Sequence, residues 1–95
     1  MEISKSGNVV TITGNIKTVA DYQTLKTAVD MVAEGNNDIL IRIKDSISIT
    51  SSIIGYFNKL ILKDKIKIEM VVGNAQLMEL LEDLSLVSLF NARKG

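Results

Sequence analysis

Three adjacent hydroxyl residues stand where an apolar helix is expected to begin, and they are the best candidates for chemistry in the chain. Thr50, Ser51 and Ser52 precede apolar residues that recur at helical spacing. A hydroxyl at this position can cap the helix by accepting a hydrogen bond from a free backbone N–H, which is worth roughly 1 kcal/mol. A phosphoserine is also well accommodated there, because free N–H groups and the helix dipole stabilise its negative charge. Capping and a phosphorylation switch are therefore two interpretations of the same residues.

The residue types that most small enzymes need are missing. The chain has no histidine and no cysteine, so it lacks the commonest general base, the usual transition-metal ligands and a thiol nucleophile. Its carboxylates form no compact pair beside a base. We therefore expect a protein that is not an enzyme and has neither a metal nor a cofactor. The lack of cysteine is compatible with a reducing compartment, and we expect the chain to be cytoplasmic.

Charge and hydropathy exclude two further classes of partner. Eleven basic and eleven acidic residues give a formal net charge of +0, so no overall field attracts nucleic acid or an anionic membrane surface. The longest apolar runs fall far short of the ~20 residues that span a bilayer, and we expect no membrane insertion. The length of 95 residues predicts one domain over residues 1–95.

The hydrophobic pattern predicts an α/β fold in the order β-β-α-β-α-β-α. Runs rich in Val, Ile and Thr at residues 1–5 and 8–13 predict an N-terminal hairpin. The nearly continuous apolar run at residues 38–44 predicts a central strand covered on both faces. Alternation over residues 66–72 predicts another strand. A short last strand near residues 89–91 is left open, and the sheet is expected to be mostly parallel with an antiparallel first strand.

Helices are predicted between these strands. Apolar spacing predicts a first helix over residues 19–34, with Thr18 as its N-cap. The second helix is expected to begin at Ser51 or Ser52, and the third follows Asn74. The residues expected on the inward faces are Val19, Tyr22, Leu25, Val29 and Val32, then Ile54, Phe57, Leu60 and Ile61, and finally Leu77, Leu80, Leu81 and Leu84.

Loops that leave the carboxyl ends of parallel strands form the usual binding edge of such sheets. Three are identifiable, at residues 14–18, 45–52 and 73–74. Ile53, Tyr56 and Met78 are predicted to lie off the inward stripes of their helices. If they were exposed together, they would form an apolar surface suited to docking a partner.

The order of elements and the loop before the second helix together resemble the STAS domain family, which includes bacterial anti-sigma factor antagonists. The resemblance covers nearly the whole chain. The segments that carry it are Val10-Thr11-Ile12-Thr13-Gly14, the strand at residues 39–43, Thr50-Ser51-Ser52-Ile53-Ile54-Gly55, and Val72-Gly73-Asn74 with the apolar residues at 84–90.

The resemblance implies a partner-switching regulator of transcription. In the family, the second hydroxyl of the loop is phosphorylated by an anti-sigma serine kinase, and phosphorylation releases that kinase. The corresponding residue here is Ser52, with Ser51 as second choice. The resemblance further implies a protein-docking surface formed by Asn15, Thr50, Ser51, Ile53 and Tyr56.

Two other functions remain open at this point. One is a STAS-like scaffold or accessory subunit, for example of a lipid transport complex, that uses the same edge without phosphorylation. The family usually has Asp where Thr50 stands, Gly where Ile53 stands and acids where Asn15 and Lys17 stand, and these differences favour that function. The other is a sensor of small molecules or nucleotides, which rests on family analogy and on the polar loops.

Overall fold

The computed structural model describes residues 1–95 and shows nine elements. Five strands form a single sheet, and four helices connect or follow them. In chain order the elements are β1 (Glu2–Ser6), β2 (Val9–Thr13), α1 (Val19–Ala33), β3 (Asp38–Ile43), α2 (Ser51–Leu62), β4 (Lys67–Val72), α3 (Ala75–Asp83), α4 (Val87–Phe90) and β5 (Ala92–Lys94).

The strands lie side by side in the order in which they occur in the chain. β1 and β2 form an antiparallel hairpin, whose turn contains Gly7 with a positive φ of 59°. The pairs β2–β3, β3–β4 and β4–β5 are all parallel. The predicted α/β class and the mostly parallel sheet with an antiparallel first strand are therefore confirmed.

One face of the sheet forms the core, and the other is left uncovered. The register aligns Val10, Ile41, Met70 and Ala92 across four strands, and all four are buried. The buried residues of all four helices, apart from Ala28, join one cluster of 22 residues. Each strand lies next to the one before it in the chain, so the connections run across the sheet in one direction. Right-handed connections of this kind place their helices on the same side of the sheet. All four helices therefore cover this one face.

The prediction that β3 is covered on both faces is wrong. Ile39, Ile41 and Ile43 are fully buried, but Arg42, between the last two, is exposed. Leu40 is only half-buried. Burial therefore alternates along the strand, as expected when one face of a sheet is covered and the other is not. The run of apolar residues is continuous because the half-buried Leu40 lies between two buried isoleucines.

The positions of the helices along the chain agree with the predictions more closely than the choice of which face of each helix is buried. The inward face of α2 consists of Ile53, Tyr56, Phe57 and Leu60, whereas Ile54 and Ile61 are only half-buried. In α1, Leu25, Ala28, Val29 and Val32 are buried, but Val19 at the first position is 77% exposed. In α3, Leu77 and Leu81 are buried and Leu84 is 48% exposed beyond the end of the helix.

The C-terminal segment differs in detail from its prediction. The apolar residues after α3 form the single turn α4, which was not predicted. Asn91 then takes a left-handed conformation with φ 48°, and its side-chain amide donates to the carbonyl oxygen of Ile68 at 2.9 Å. The last strand follows at Ala92–Lys94, a few residues after the predicted position.

Candidate functional site

Two loops at the carboxyl ends of β2 and β3 are joined by hydrogen bonds from side chains. Asp45 Oδ1 accepts from the backbone N–H of Gly14 at 2.6 Å. Asn15 Oδ1 accepts from the backbone N–H of Ile47 at 3.1 Å. Each loop thus supplies one side chain that binds the backbone of the other. The pair forms a fixed platform in front of α2 rather than two independent loops.

A buried hydroxyl completes this connection. Ser46 is the one buried polar residue of the chain, at 0% exposure. Its Oγ accepts from the backbone N–H of Ile16 at 3.4 Å and donates to the carbonyl oxygen of Ser48 at 2.8 Å. Because both its donor and its acceptor functions are satisfied, this hydroxyl is buried without an unpaired polar atom. Ser46 therefore has a structural role between the loops.

The start of α1 borders the same platform. Thr18 Oγ1 accepts from the backbone N–H of Asp21 at 3.0 Å, and Asp21 Oδ2 accepts from the backbone N–H groups of Thr18 and Lys17. This is a capping box. The backbone hydrogen bonds, that from Lys17 first, hold the pKa of Asp21 below its usual value. Asp21 therefore stabilises the helix and is not free for other chemistry.

The start of α2 combines a cap with unpaired donors. Thr50 Oγ1 accepts from the backbone N–H of Ile53 at 3.3 Å, so the capping interpretation of this residue is confirmed. The backbone N–H groups of Ser51 and Ser52 have no partner in the chain. The first turn carries no acidic residue. Both serines are exposed, at the end of the helix where its dipole is positive.

A shallow depression of about 280 Å³ lies between the starts of α1 and α2. Thr50 and Ser52 line it at the start of α2. On the other side it is lined by residues in and just before the first turns of α1, namely Lys17, Thr18, Val19, Tyr22 and Gln23. Two aliphatic side chains on this edge are exposed, Val19 at 77% and Ile47 at 49%. We call the exposed residues Lys17, Val19, Ile47, Ser51 and Ser52, with the half-buried Asn15 and Thr50, the docking edge.

The structure brings together four of the six residues singled out in the sequence. Asn15, Thr50, Ser51 and Ser52 lie on the docking edge. Ile53 and Tyr56 do not, since their exposures are 0% and 4%. The prediction that these two lie off the inward stripe of the helix is wrong, because α2 turns them toward α1 and the sheet. Met78 on α3 is half-buried and lines a different depression.

Tyr56 is held inside by a polar network instead. Its hydroxyl donates to Asp30 Oδ1 at 2.5 Å, and Lys26 Nζ binds Asp30 Oδ2 at 2.9 Å. Burial of the ring and the bond to Asp30 raise the pKa of the Tyr56 hydroxyl. Burial opposes ionisation of Asp30, but the bonds from Tyr56 and Lys26 outweigh it and lower the pKa of this carboxyl. The network connects α1 to α2.

Lys17, Val19 and Ile47 were not named as site residues, although Lys17 and Ile47 lie in the predicted binding loops at residues 14–18 and 45–52. Val19 had been placed on the inward face because it starts an apolar series, and the sequence signal against this was its position directly after the cap. The third predicted loop does not join the docking edge. Gly73 instead packs so tightly against the carbonyl of Lys44 that any larger side chain would collide with it.

None of the helices has the length and apolar character needed to cross a membrane. No group of three or more acidic side chains is arranged to hold a metal ion. Comparisons with models of protein families, with curated proteins and with solved structures found no significant match to this chain.

Proposed function

We propose that this chain is a protein-interaction module of the kind found in anti-sigma factor antagonists, and that a partner protein binds at the docking edge. The observation that carries the proposal is the exposure of Val19 and Ile47 beside two exposed serines on a hydrogen-bonded platform. Val19 and Ile47 are 77% and 49% exposed, and covering them with a partner removes apolar surface from water, which stabilises the complex. The fixed loops limit the entropy lost on binding.

We further propose that phosphorylation of Ser52 controls this binding. A phosphate would add a charge of about −1.5 to −2 at the start of α2. In the free protein, the unpaired backbone N–H groups and Lys17, which lines the same depression, stabilise that charge. Under a bound partner the charge would be removed from water beside Val19. Phosphorylation therefore favours the free state and releases the partner.

The second candidate is a scaffold or accessory subunit that binds its partner constantly. The observation in its favour is Lys17, which lies where the family has acids and lines the depression beside Ser52. The Ile53 side chain does not distinguish the two functions. It points into the core and leaves the surface around Ser52 free.

The experiment begins with affinity capture from an extract of the source organism, using the wild-type chain and a Val19→Asp, Ile47→Asp variant. The expected result is a partner that the variant fails to retain. Leu62→Asp with Met31→Asp is the matched control, because these two side chains are 62% and 57% exposed outside the docking edge. If the edge variant and the control retain the same partner equally, the docking edge is not the binding site.

Phosphorylation is tested separately with serine kinases of the same organism and mass spectrometry of the product. We expect one phosphate on the wild type and on Ser51→Ala, none on Ser52→Ala, and weaker capture of the partner by the phosphorylated protein. A partner that binds at the edge, together with no modification of Ser52 by any of these kinases, would support the scaffold function instead.

A further inference from the structure

The uncovered face of the sheet carries an uneven distribution of charge. The register pairs Arg42 on β3 with Val71 on β4, and Val71 with Arg93 on β5. Lys44 follows directly after β3 at the same end of the face. These four residues line a depression of about 560 Å³ together with Ile43, Gly73 and Gly95. We call Arg42, Lys44, Val71 and Arg93 the basic face.

Most of this positive charge has no counterion in the chain. One ion pair involves the basic face: a guanidinium nitrogen of Arg93 lies 3.5 Å from Glu69 Oε2. Arg42 and Lys44 have no carboxylate within 4 Å. The four aromatic rings form a series of contacts on the helical side, so the basic face has no ring on which a nucleic-acid base could stack. The basic face therefore fits carboxylates better than single-stranded nucleic acid.

The complementary charge lies on α3. Glu79, Glu82 and Asp83 are exposed, and their spacing of three and four places them on one side of the helix. No basic side chain lies within 4 Å of their carboxylates. The nearest candidate is Lys94, which lines a surface depression together with the three acids. Glu82 and Asp83 lie in the last turn of α3, where the helix dipole disfavours negative charge. We call Glu79, Glu82 and Asp83 the acidic strip.

These two surfaces face in opposite directions from the same strands. α3 packs on β4 and β5 from the covered side of the sheet, whereas the basic face lies on the uncovered side of β3, β4 and β5. A second copy moved along the normal to the sheet would bring its acidic strip over the basic face of the first. We propose that the basic face binds the acidic strip of a second copy, so that copies stack head to tail.

The dimensions of the two surfaces are compatible with this contact. Strands lie about 4.8 Å apart, which separates the backbones of Arg42 and Arg93 by roughly 10 Å. Glu79 and Asp83 are about 6 Å apart along the helix axis, within reach of two flexible arginine side chains. The formal net charge of +0 leaves no overall repulsion between copies. Because the contact joins two different surfaces, it extends into open chains of copies.

The proposal concerns surfaces outside the docking edge and does not depend on the proposed function. It is tested by sedimentation velocity of the purified chain over a range of concentrations at low salt. The expected result is association that increases with concentration and weakens at least about tenfold when the ionic strength is raised to about 0.5 M, where surface charges are screened. A wild-type chain that sediments as a monomer at millimolar concentration and low salt would overturn the proposal.

Charge reversal identifies the surfaces. We expect Arg42→Glu with Lys44→Glu to weaken association at least about tenfold, and Glu79→Lys with Glu82→Lys to do the same. An equal mixture of the two variants should associate again, because each reversed surface then meets a complementary one. This recovery also shows that both variants are folded. Association of either variant at wild-type strength, or no recovery in the mixture, would contradict the head-to-tail contact.

A control variant makes the same change in net charge as Arg42→Glu with Lys44→Glu, at positions away from both surfaces. Lys5→Glu with Lys63→Glu should associate like the wild type, whereas a loss equal to that of the surface variants would show a general effect of charge. A poly-glutamate peptide tests whether the basic face binds a different acidic chain instead of a second copy. If it binds a wild-type chain that stays monomeric, and the Arg42→Glu, Lys44→Glu variant does not bind it, then a different acidic chain occupies the basic face and the proposal is wrong.

Discussion

Replacement of Ile53 by Ala distinguishes a core residue from a docking residue. Ile53 is fully buried in the central cluster. The substitution removes three carbon atoms, worth about 0.8 kcal/mol each in transfer free energy. The cavity that remains adds a further cost, and buried Ile→Ala changes in general cost about 2–5 kcal/mol. We expect a loss of about 3–4 kcal/mol in the free energy of unfolding.

The measurement is urea unfolding followed by circular dichroism, with Ile54→Ala as the matched control. Ile54 is the next residue on the same helix and is only half-buried, so its replacement should cost less than half as much. For a domain of this size, each kcal/mol corresponds to roughly 4–8 °C in melting temperature. Equal costs for the two variants, or a loss below about 1 kcal/mol for Ile53→Ala, would refute the assignment of Ile53 to the core.

Three further predictions concern the helix contacts. Tyr56→Phe should destabilise the fold by about 1–2 kcal/mol and raise the pKa of Asp30, because the hydroxyl that binds this carboxylate is lost. Tyr22→Phe is the control in chemical unfolding and in NMR titration, and an unchanged Asp30 titration would contradict the network. Thr50→Ala should cost about 1 kcal/mol by removing the cap of α2, whereas Ser51→Ala should be nearly neutral in the same unfolding measurement. The lowered pKa of Asp30 means that its stabilising effect is complete above the ordinary carboxyl value of 3.8 and is lost as the pH falls through the lower folded value. The difference in stability between wild type and Asp30→Asn should therefore shrink in acid, and a difference that stays constant down to about pH 2 would contradict this linkage.

The positions of the long elements could be predicted because the signals for them are local. The N-cap residues Thr18, Thr50 and Asn74 each precede an apolar series, and all three accept hydrogen bonds from the following backbone. The strand at Lys67–Val72 alternates in sequence as it does in burial. These features depend on residues close together in the chain. They were therefore visible without knowledge of the tertiary contacts.

The phase of α2 could not be predicted in the same way. Ile53 and Ile54 are adjacent, and so are Tyr56 and Phe57, so two stripes rotated by one residue fit the apolar spacing equally well. The choice depends on the partner that Tyr56 finds in Asp30 on α1, a contact between residues far apart in the chain. Residues chosen for an exposed stripe therefore included two that belong to the core.

The docking edge was predicted in part for a similar reason. Ser51 and Ser52 were recognised from their position at the start of a helix. The exposure of Ile47 depends on a loop whose path is fixed by Asn15 and Asp45, through hydrogen bonds to backbone groups about thirty residues away. Nothing in the local sequence of Ile47 differs from that of a buried isoleucine such as Ile49. Its exposure becomes apparent once the two loops are seen together.

The order of the strands has a consequence for synthesis on the ribosome. β1 and β2 can pair as a hairpin as soon as they emerge, and β3, β4 and β5 are then each added to the outer side of the strand before them. No strand must be inserted between two that are already paired. Because the N-terminal part of a chain emerges first, the nascent protein can build its sheet in the direction of translation. At each stage one newly added strand forms the growing edge, and the short β5 is added last.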